Sequence, residues 1–130
     1  MNIFIVDDNQ QFREAIKIYI KQILNHNIVG EAENGLDFLQ HYQYSNDIVL
    51  MDLNMPELDG YHAVQKAING DLRIKAIAVT MFKDNAYLLK LIAMGFKGCV
   101  FKSEIFKKLP AAIHEVSKGN LYFPEDINLE

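Results

Sequence analysis

The chain has 130 residues, 50% hydrophobic and 23% charged, with a net charge of −4, which predicts one globular domain and excludes a disordered chain. The charge argues against a generally basic nucleic-acid-binding surface, and a single cysteine, Cys99, excludes an intrachain disulfide and a cysteine-rich zinc site. No apolar stretch approaches membrane-spanning length, so a cytoplasmic domain without membrane contact is predicted.

Strand-like and helix-like segments alternate along the whole chain. Short apolar segments, typical of strands covered on both faces, are each followed by a segment whose apolar residues recur at helical spacing. The predicted elements are strand 2–6, helix 12–24, strand 27–32, a short helix from residue 35, strand 47–52, helix 61–68, strand 75–80, helix 85–94, strand 98–101 and helix 103–118. This alternation predicts a doubly wound α/β sandwich with a five-stranded parallel sheet.

The inward face of each helix is predicted from the spacing of its apolar residues. The predicted sets are Phe12, Ile16, Tyr19, Ile20, Ile23 and Leu24 in the first helix, Val64, Ala67 and Ile68 in the third, Leu88, Leu89, Ile92 and Ala93 in the fourth, and Leu109, Ala112, Ile113 and Val116 in the fifth. The second helix is marked less clearly, by Leu36, Leu39, His41 and Tyr42. Gly95 is predicted to end the fourth helix. Pro110 is expected at or near the first turn of the fifth, where proline is tolerated, so that this helix would begin at about 107–110.

Charged and hydroxyl side chains stand where four of the predicted strands end. Asp7 and Asp8 follow the first strand, Asp52 ends the third, Thr80 ends the fourth and Lys102 follows the fifth. The carboxyl ends of parallel strands meet at one edge, where open α/β sheets bind ligands, so these groups are predicted to share one site. Each residue alone has an ordinary role, such as helix capping, but the combination indicates chemistry.

Three clustered carboxylates repel one another unless a cation neutralises them, and oxygen ligands favour Mg²⁺ or Mn²⁺. Beside such an ion, the ammonium of Lys102 and the hydroxyl of Thr80 would contact phosphoryl oxygens. Asp52 is then a candidate nucleophile, because an aspartyl carboxylate can accept a phosphoryl group covalently. The residues therefore predict a site for Mg²⁺-dependent phosphoryl transfer.

At these positions the sequence resembles the receiver domain of two-component response regulators. The resemblance covers residues 1–118 and is carried by Asp7-Asp8, the run MDLNMPELDG at 51–60, Thr80 and Lys102. It implies a flavodoxin-like (βα)₅ fold with strand order 2-1-3-4-5.

The resemblance also implies a role for each site residue. Asp52 would accept a phosphoryl group from a sensor histidine kinase, and Thr80 and Lys102 would contact the phosphoryl oxygens. The implied ligands of Mg²⁺ are Asp8, Asp52, the backbone carbonyl of Asn54 and, through water, Asp7. The added charge would change the surface around the fourth helix and fifth strand, and a homodimer would form on phosphorylation.

Three positions depart from the family's usual pattern. Cys99 stands three residues before Lys102, where the family usually has a tyrosine or phenylalanine that switches behind the threonine. A thiol cannot fill or vacate the same space, so we expect switching to rely on the backbone of the loop at 81–82. Met81 stands where a small residue is favoured, and Ser103 where proline is often found.

Residues 1–118 are predicted to form the receiver domain, and residues 119–130 a tail or linker. The segment KGNLYFPE at 118–125 is similar to the junction of NarL/LuxR-type regulators, which leads to a helix-turn-helix DNA-binding domain. The chain is therefore expected to be part of a transcription regulator that contacts DNA only through an output domain outside these residues. A stand-alone receiver that acts by protein–protein contact is the alternative.

Other functions fit the same residues less well. A Mg²⁺-dependent phosphatase of the haloacid dehalogenase type would have its nucleophile after the first strand in a D-x-D motif, whereas Asp7 and Asp8 are adjacent. A flavodoxin-like cofactor binder would need a loop rich in glycine and hydroxyl groups there, and two aspartates would repel its phosphate. A receiver that is never phosphorylated is disfavoured because the acidic, threonine and lysine positions are all filled. We therefore predict a phosphorylation switch that is not a turnover enzyme.

Overall fold

The structure, a computed structural model, describes residues 1–41, 48–53, 60–70, 74–81 and 85–124. In chain order its elements are β1 (Asn2–Val6), α1 (Gln10–Ile18), β2 (Asn27–Ala32), α2 (Gly35–His41), β3 (Ile48–Asp52), α3 (Gly60–Gly70), β4 (Ala76–Thr80), α4 (Asn85–Ala93), β5 (Gly98–Phe101) and α5 (Ile105–Ser117). A π-helical turn, Tyr19–Ile23, continues α1, and a 3₁₀ turn, Lys102–Glu104, precedes α5.

The five strands form one parallel sheet in the order β2-β1-β3-β4-β5, which confirms the predicted flavodoxin-like fold. Strands β1 and β3 are neighbours, and their register pairs Val6 with Met51. The next residue along each strand is an aspartate, so Asp7 and Asp52 leave the sheet side by side at the same edge. Topology and register together therefore build the acidic site.

Helices cover the sheet on both faces, as predicted. Successive strand residues point to opposite faces, so Ile3 and Ile5 of β1 pack among the buried residues of α1 and α5. Phe4 and Val6 pack on the other face, among residues of α2, α3 and α4. Both faces of the central strands are apolar and covered by helices. Charged groups therefore lie at the ends of the strands, where the sheet is not covered.

The predicted helix faces are right in α5 and partly wrong in α1 with its π-helical continuation and in α4. All four predicted residues of α5 are buried. Ile23, predicted to face inward, is 65% exposed, because the wider π-helical turn that continues α1 changes the angular spacing of its side chains. Phe38 is the buried apolar side chain of α2, while Leu36 is 49% exposed, since seven residues are too few to define a stripe. In α4 the fully buried residues are Leu88 and Leu91, with Ala93 exposed. Gly95 ends α4 as predicted, with a φ of 99°.

Pro110 lies at the sixth position of α5, so its predicted place in the first turn is wrong. Proline has no N–H, so it cannot donate to the carbonyl of Phe106 four residues earlier. That carbonyl instead accepts a hydrogen bond from the hydroxyl of Tyr19, at 2.7 Å. The rings of Tyr19 and Phe106 also meet edge to face, with centroids 5.0 Å apart. A side chain that follows α1 thus replaces the hydrogen bond that proline removes from α5.

Part of the predicted tail lies along β5. Tyr122 forms a parallel bridge to Gly98, with its N–H donating to the carbonyl of Lys97 at 3.0 Å and its carbonyl accepting from the N–H of Cys99 at 2.8 Å. These bonds cover part of the β5 edge. The assignment of 119–130 as a linker stays a prediction. None of the helices in the described part of the chain has the length and apolarity to traverse a bilayer.

Candidate functional site

Three aspartates converge at the carboxyl edge of the sheet, as the order of the strands predicts. One carboxylate oxygen each from Asp7, Asp8 and Asp52 lies within 4.8 Å of the other two. Asp7 and Asp52 are buried, at 2% and 1% exposure, whereas Asp8 is exposed. The cluster therefore combines two carboxylates shielded from water with one that solvent can reach.

Lys102 brings the positive charge of the site. Its Nζ lies 3.2 Å from Oδ2 of Asp7 and 3.7 Å from Oδ2 of Asp52. The same Nζ lies 4.7 Å from the centroid of the Phe12 ring on α1, a cation–π distance. One ammonium faces three carboxylates, so the cluster keeps an excess of negative charge for a further cation.

The backbone and side chain of Asp7 are held by several hydrogen bonds. Its N–H donates to the carbonyl of Ala32 at 3.1 Å, and its Oδ1 accepts from the N–H of Asn9 at 2.8 Å. Its own carbonyl accepts from Nη1 of Arg13 at 2.6 Å. Asn9 also caps α1, because its side chain accepts from the N–H of Phe12 at 3.0 Å. These bonds place Asp7 where its Oδ2 faces Lys102.

Burial raises the pKa of the Asp7 carboxyl, although the Asn9 N–H and the Lys102 charge act in the opposite direction. Within the described part of the chain, Oδ2 of Asp7 is buried and accepts no hydrogen bond of good geometry. A cation bound next to this oxygen would stabilise the charged carboxylate, because it would replace the interactions with water that burial removes. All the clustered donors are oxygens, so the residues present fit Mg²⁺.

Thr80, Cys99 and Phe101 lie on the sheet face covered by α2, α3 and α4, since they follow the alternation of Ala78. Thr80 is fully buried, and its partner in the β4–β5 ladder is Phe101, while Cys99 pairs with Ala78. Burial raises the pKa of the Cys99 thiol to about 12, so it behaves as a small apolar side chain. Sequence reasoning missed Phe101, although its position two residues after Cys99 puts both on the same face.

Two predictions concern residues that the structure does not fully cover. Asn54, predicted to bind Mg²⁺ through its backbone carbonyl, lies outside the described residues. So does residue 82 of the loop at 81–82, whereas Met81 is described and 65% exposed. The structure thus brings together Asp7, Asp8, Asp52 and Lys102, and it places Thr80 at the end of the neighbouring strand.

Comparison with known proteins gives consistent matches over nearly the whole chain. Response regulator UvrY of Escherichia coli (strain K12) is 30% identical over 128 residues, which are 98% of this chain and 59% of UvrY. A LuxR-family two-component response regulator from Aurantimonas sp. SI85-9A1 has a TM-score of 0.88 at 28% identity, covering 97% of this chain and 91% of that one. The isolated REC domain of RcsB from Salmonella enterica serovar Typhimurium, solved with the phosphomimetic BeF₃⁻, has a TM-score of 0.86 at 26% identity, covering 98% and 95%.

The chain spans little more than half the length of the curated relatives it matches, at 52% of DegU from Brevibacillus brevis and 59% of UvrY. The family model described as "Response regulator receiver domain" matches residues 3–114. This match covers most of the chain, and the strand order and acidic edge of the sheet agree with it. The chain belongs to the family of response regulator receiver domains.

Proposed function

We propose that the chain is a phosphorylation switch in which Asp52 accepts a phosphoryl group from a sensor histidine kinase in a Mg²⁺-dependent reaction. One observation carries the proposal. The carboxylates of Asp7, Asp8 and Asp52 meet within 4.8 Å, and Nζ of Lys102 lies 3.7 Å from Oδ2 of Asp52. Nucleophile, cation ligands and a counter-charge for phosphoryl oxygens are therefore adjacent.

The chemistry follows from these positions. A carboxylate oxygen of Asp52 attacks phosphorus, a P–O bond forms, and the P–N bond of the phosphohistidine breaks. Lys102, within reach of the Asp52 carboxylate, contacts the oxygens of the transferred group, with Thr80 contributing its hydroxyl. Mg²⁺ would be held by Asp8, Asp52, the backbone carbonyl of Asn54 and, through water, Asp7, and it would supply positive charge that offsets the charge of the phosphoryl oxygens.

The output is proposed to be transcription, through a domain outside these residues. UvrY and DegU are full-length regulators of which the chain spans about half, and LuxR-family structures are among the solved matches. This supports assignment to the NarL/LuxR type, with 119–130 as the linker. RcsB is described as dimers bound to DNA, which supports a dimeric regulator that contacts DNA through the output domain. We propose that the dimer forms on phosphorylation. Such a protein acts in the cytoplasm.

Switching is proposed to use the backbone of the loop at 81–82. Cys99 is buried and small, so it cannot move in and out behind Thr80 as an aromatic side chain would. The added charge on Asp52 attracts the hydroxyl of Thr80, and Thr80 pulls the residues that follow it. The altered surface lies around α4 and β5.

Acetyl phosphate with Mg²⁺ tests the acceptor. We expect the intact mass of the wild type to increase by one phosphoryl group, and that of Asp52→Asn to stay unchanged. Asp37→Asn, which removes a carboxylate from α2 outside the site, is the matched control and should be modified like the wild type. EDTA should abolish the gain.

Modification of Asp52→Asn would move the acceptor to another residue, and an unmodified wild type would contradict the proposal. Sustained release of phosphate over many turnovers from a small phosphate ester would instead favour the phosphatase alternative. No such turnover is expected, because the relatives are named as regulators.

A further inference from the structure

We propose that Arg13 is a positioning residue for the acidic site, which orients Asp8 for a divalent cation by tying the end of β1 to the edge strand β2. The inference rests on the proposed function, because it takes Mg²⁺ binding at this site as given. It concerns a residue that touches none of the reacting groups.

Arg13 bridges two strands from its place on α1. Its Nη1 donates to the backbone carbonyl of Asp7 at 2.6 Å, and its Nε donates to Oε1 of Glu31 at 2.9 Å. The side chain is only 12% exposed, so both bonds are partly shielded from water. Hydrogen bonds from a charged donor are about twice as strong as neutral ones, and guanidinium can make two of them at fixed angles.

The carbonyl that Arg13 holds belongs to the peptide unit joining Asp7 to Asp8. Because a peptide unit is planar, fixing its oxygen also fixes the N and Cα of Asp8. The peptide unit on the other side of Asp8 is held as well, since the N–H of Asn9 donates to Oδ1 of Asp7 at 2.8 Å. The N–H of Asp7 is already held by the carbonyl of Ala32 on β2. Asp8 is the exposed member of the cluster, and the direction of its side chain is therefore set by the two held peptide units on either side of it, the first of which depends on Arg13.

Glu31 is a stable anchor for this bridge. Besides the bond to Arg13, its Oε2 accepts a hydrogen bond from Nζ of Lys17 at 2.6 Å. The Lys17 ammonium, and to a lesser degree the Arg13 guanidinium, lower the pKa of Glu31, so its carboxylate stays ionised at neutral pH. Arg13 is thus held at its Nε while its Nη1 reaches Asp7.

Lys17 offers a matched control for Arg13. Both residues are cations of α1 that pair with Glu31, but only Arg13 reaches the carbonyl of Asp7. Arg13→Met and Lys17→Met therefore remove the same charge from the same carboxylate. Lys17→Met also removes the ion pair with Glu14 on the exposed side of α1, whereas only Arg13→Met removes a bond to the site. Arg13→Lys keeps the charge but loses the fixed pair of donors.

Calorimetric titration with Mg²⁺ and the amide NMR shifts of residues 7 and 8 measure the effect without phosphorylation. We expect Arg13→Met to weaken Mg²⁺ binding about tenfold, in the range found for residues that orient metal ligands. Lys17→Met should bind within about twofold of the wild type, and Arg13→Lys should lie between the two. Urea unfolding in EDTA should show that both methionine variants are folded, with the larger loss of stability in Arg13→Met because it also gives up the bond to the Asp7 carbonyl.

Equal Mg²⁺ affinity in Arg13→Met and Lys17→Met would overturn the inference, while saturable binding by the wild type would leave the proposed function standing. A wild type that binds no Mg²⁺ would overturn both. Should Arg13→Met not fold, Arg13→Lys decides, and an affinity equal to that of the wild type would refute the role of Arg13.

Discussion

Replacing Tyr19 by phenylalanine is expected to lower the free energy of unfolding by about 1 kcal/mol. The hydroxyl of Tyr19 donates to the carbonyl of Phe106, at 2.7 Å, because Pro110 has no N–H to offer that carbonyl. Phenylalanine removes the donor and keeps the ring, so the edge-to-face contact at 5.0 Å remains. The change therefore isolates one hydrogen bond between a residue that follows α1 and the helix α5.

The structure sets this magnitude near the middle of the usual range for a hydrogen bond. Phe106 is 50% exposed, so water can reach the region of the carbonyl and the full cost of a buried, unsatisfied acceptor does not apply. In the Pro110→Ala background residue 110 regains an N–H that can donate to the carbonyl of Phe106. The same Tyr19→Phe change should then cost less, by a coupling energy of about 0.5 kcal/mol or more.

Urea unfolding followed by circular dichroism measures these energies. With a slope of about 1–3 kcal/mol/M, a loss of 1 kcal/mol moves the midpoint by about 0.3–1 M. Tyr122→Phe is the control, since it removes a hydroxyl from another partly buried tyrosine, one that pairs with β5 through its backbone. An equal cost of Tyr19→Phe with and without Pro110 would refute the idea that the hydroxyl substitutes for the missing N–H.

Three further predictions concern the site and the sheet. Burial raises the pKa of Asp7, so between the ordinary carboxyl pKa and the raised one the metal-free native state holds a proton that the unfolded chain has lost. The free energy of unfolding should therefore fall as the pH rises through this interval. Urea unfolding between pH 4 and 7 checks this, and Asp7→Asn should flatten the fall. Cys99, whose pKa burial raises to about 12, should react with iodoacetamide at pH 8 only after unfolding, and rapid labelling of the native protein would contradict this. Gly30→Ala should lower the free energy of unfolding by about 1–3 kcal/mol, because the new Cβ would press on the buried ring of Phe4, which packs on Phe38. An unchanged urea midpoint would show that the ring can move.

The fold and the location of the site could be predicted from local patterns. Apolar segments of four to six residues mark strands, and regular alternation with helices leaves a parallel sheet as the consistent arrangement. In such a sheet the residues at the carboxyl ends of the strands share one edge, so Asp7, Asp52, Thr80 and Lys102 could be grouped from the sequence alone. This grouping needs only the order of the elements and the residue at each strand end.

Contacts between distant parts of the chain were decided only by the tertiary structure. The bond from Tyr19 to Phe106 spans 87 positions, and nothing around Pro110 indicates which side chain will serve the open carbonyl. Phe101 is opposite Thr80 only because β4 and β5 pair in one particular register. Arg13 resembles any cation on the polar side of an amphipathic helix until packing brings it to the carbonyl of Asp7. Local sequence determines which residues can form strands and helices, but the partners of polar groups depend on how those elements pack.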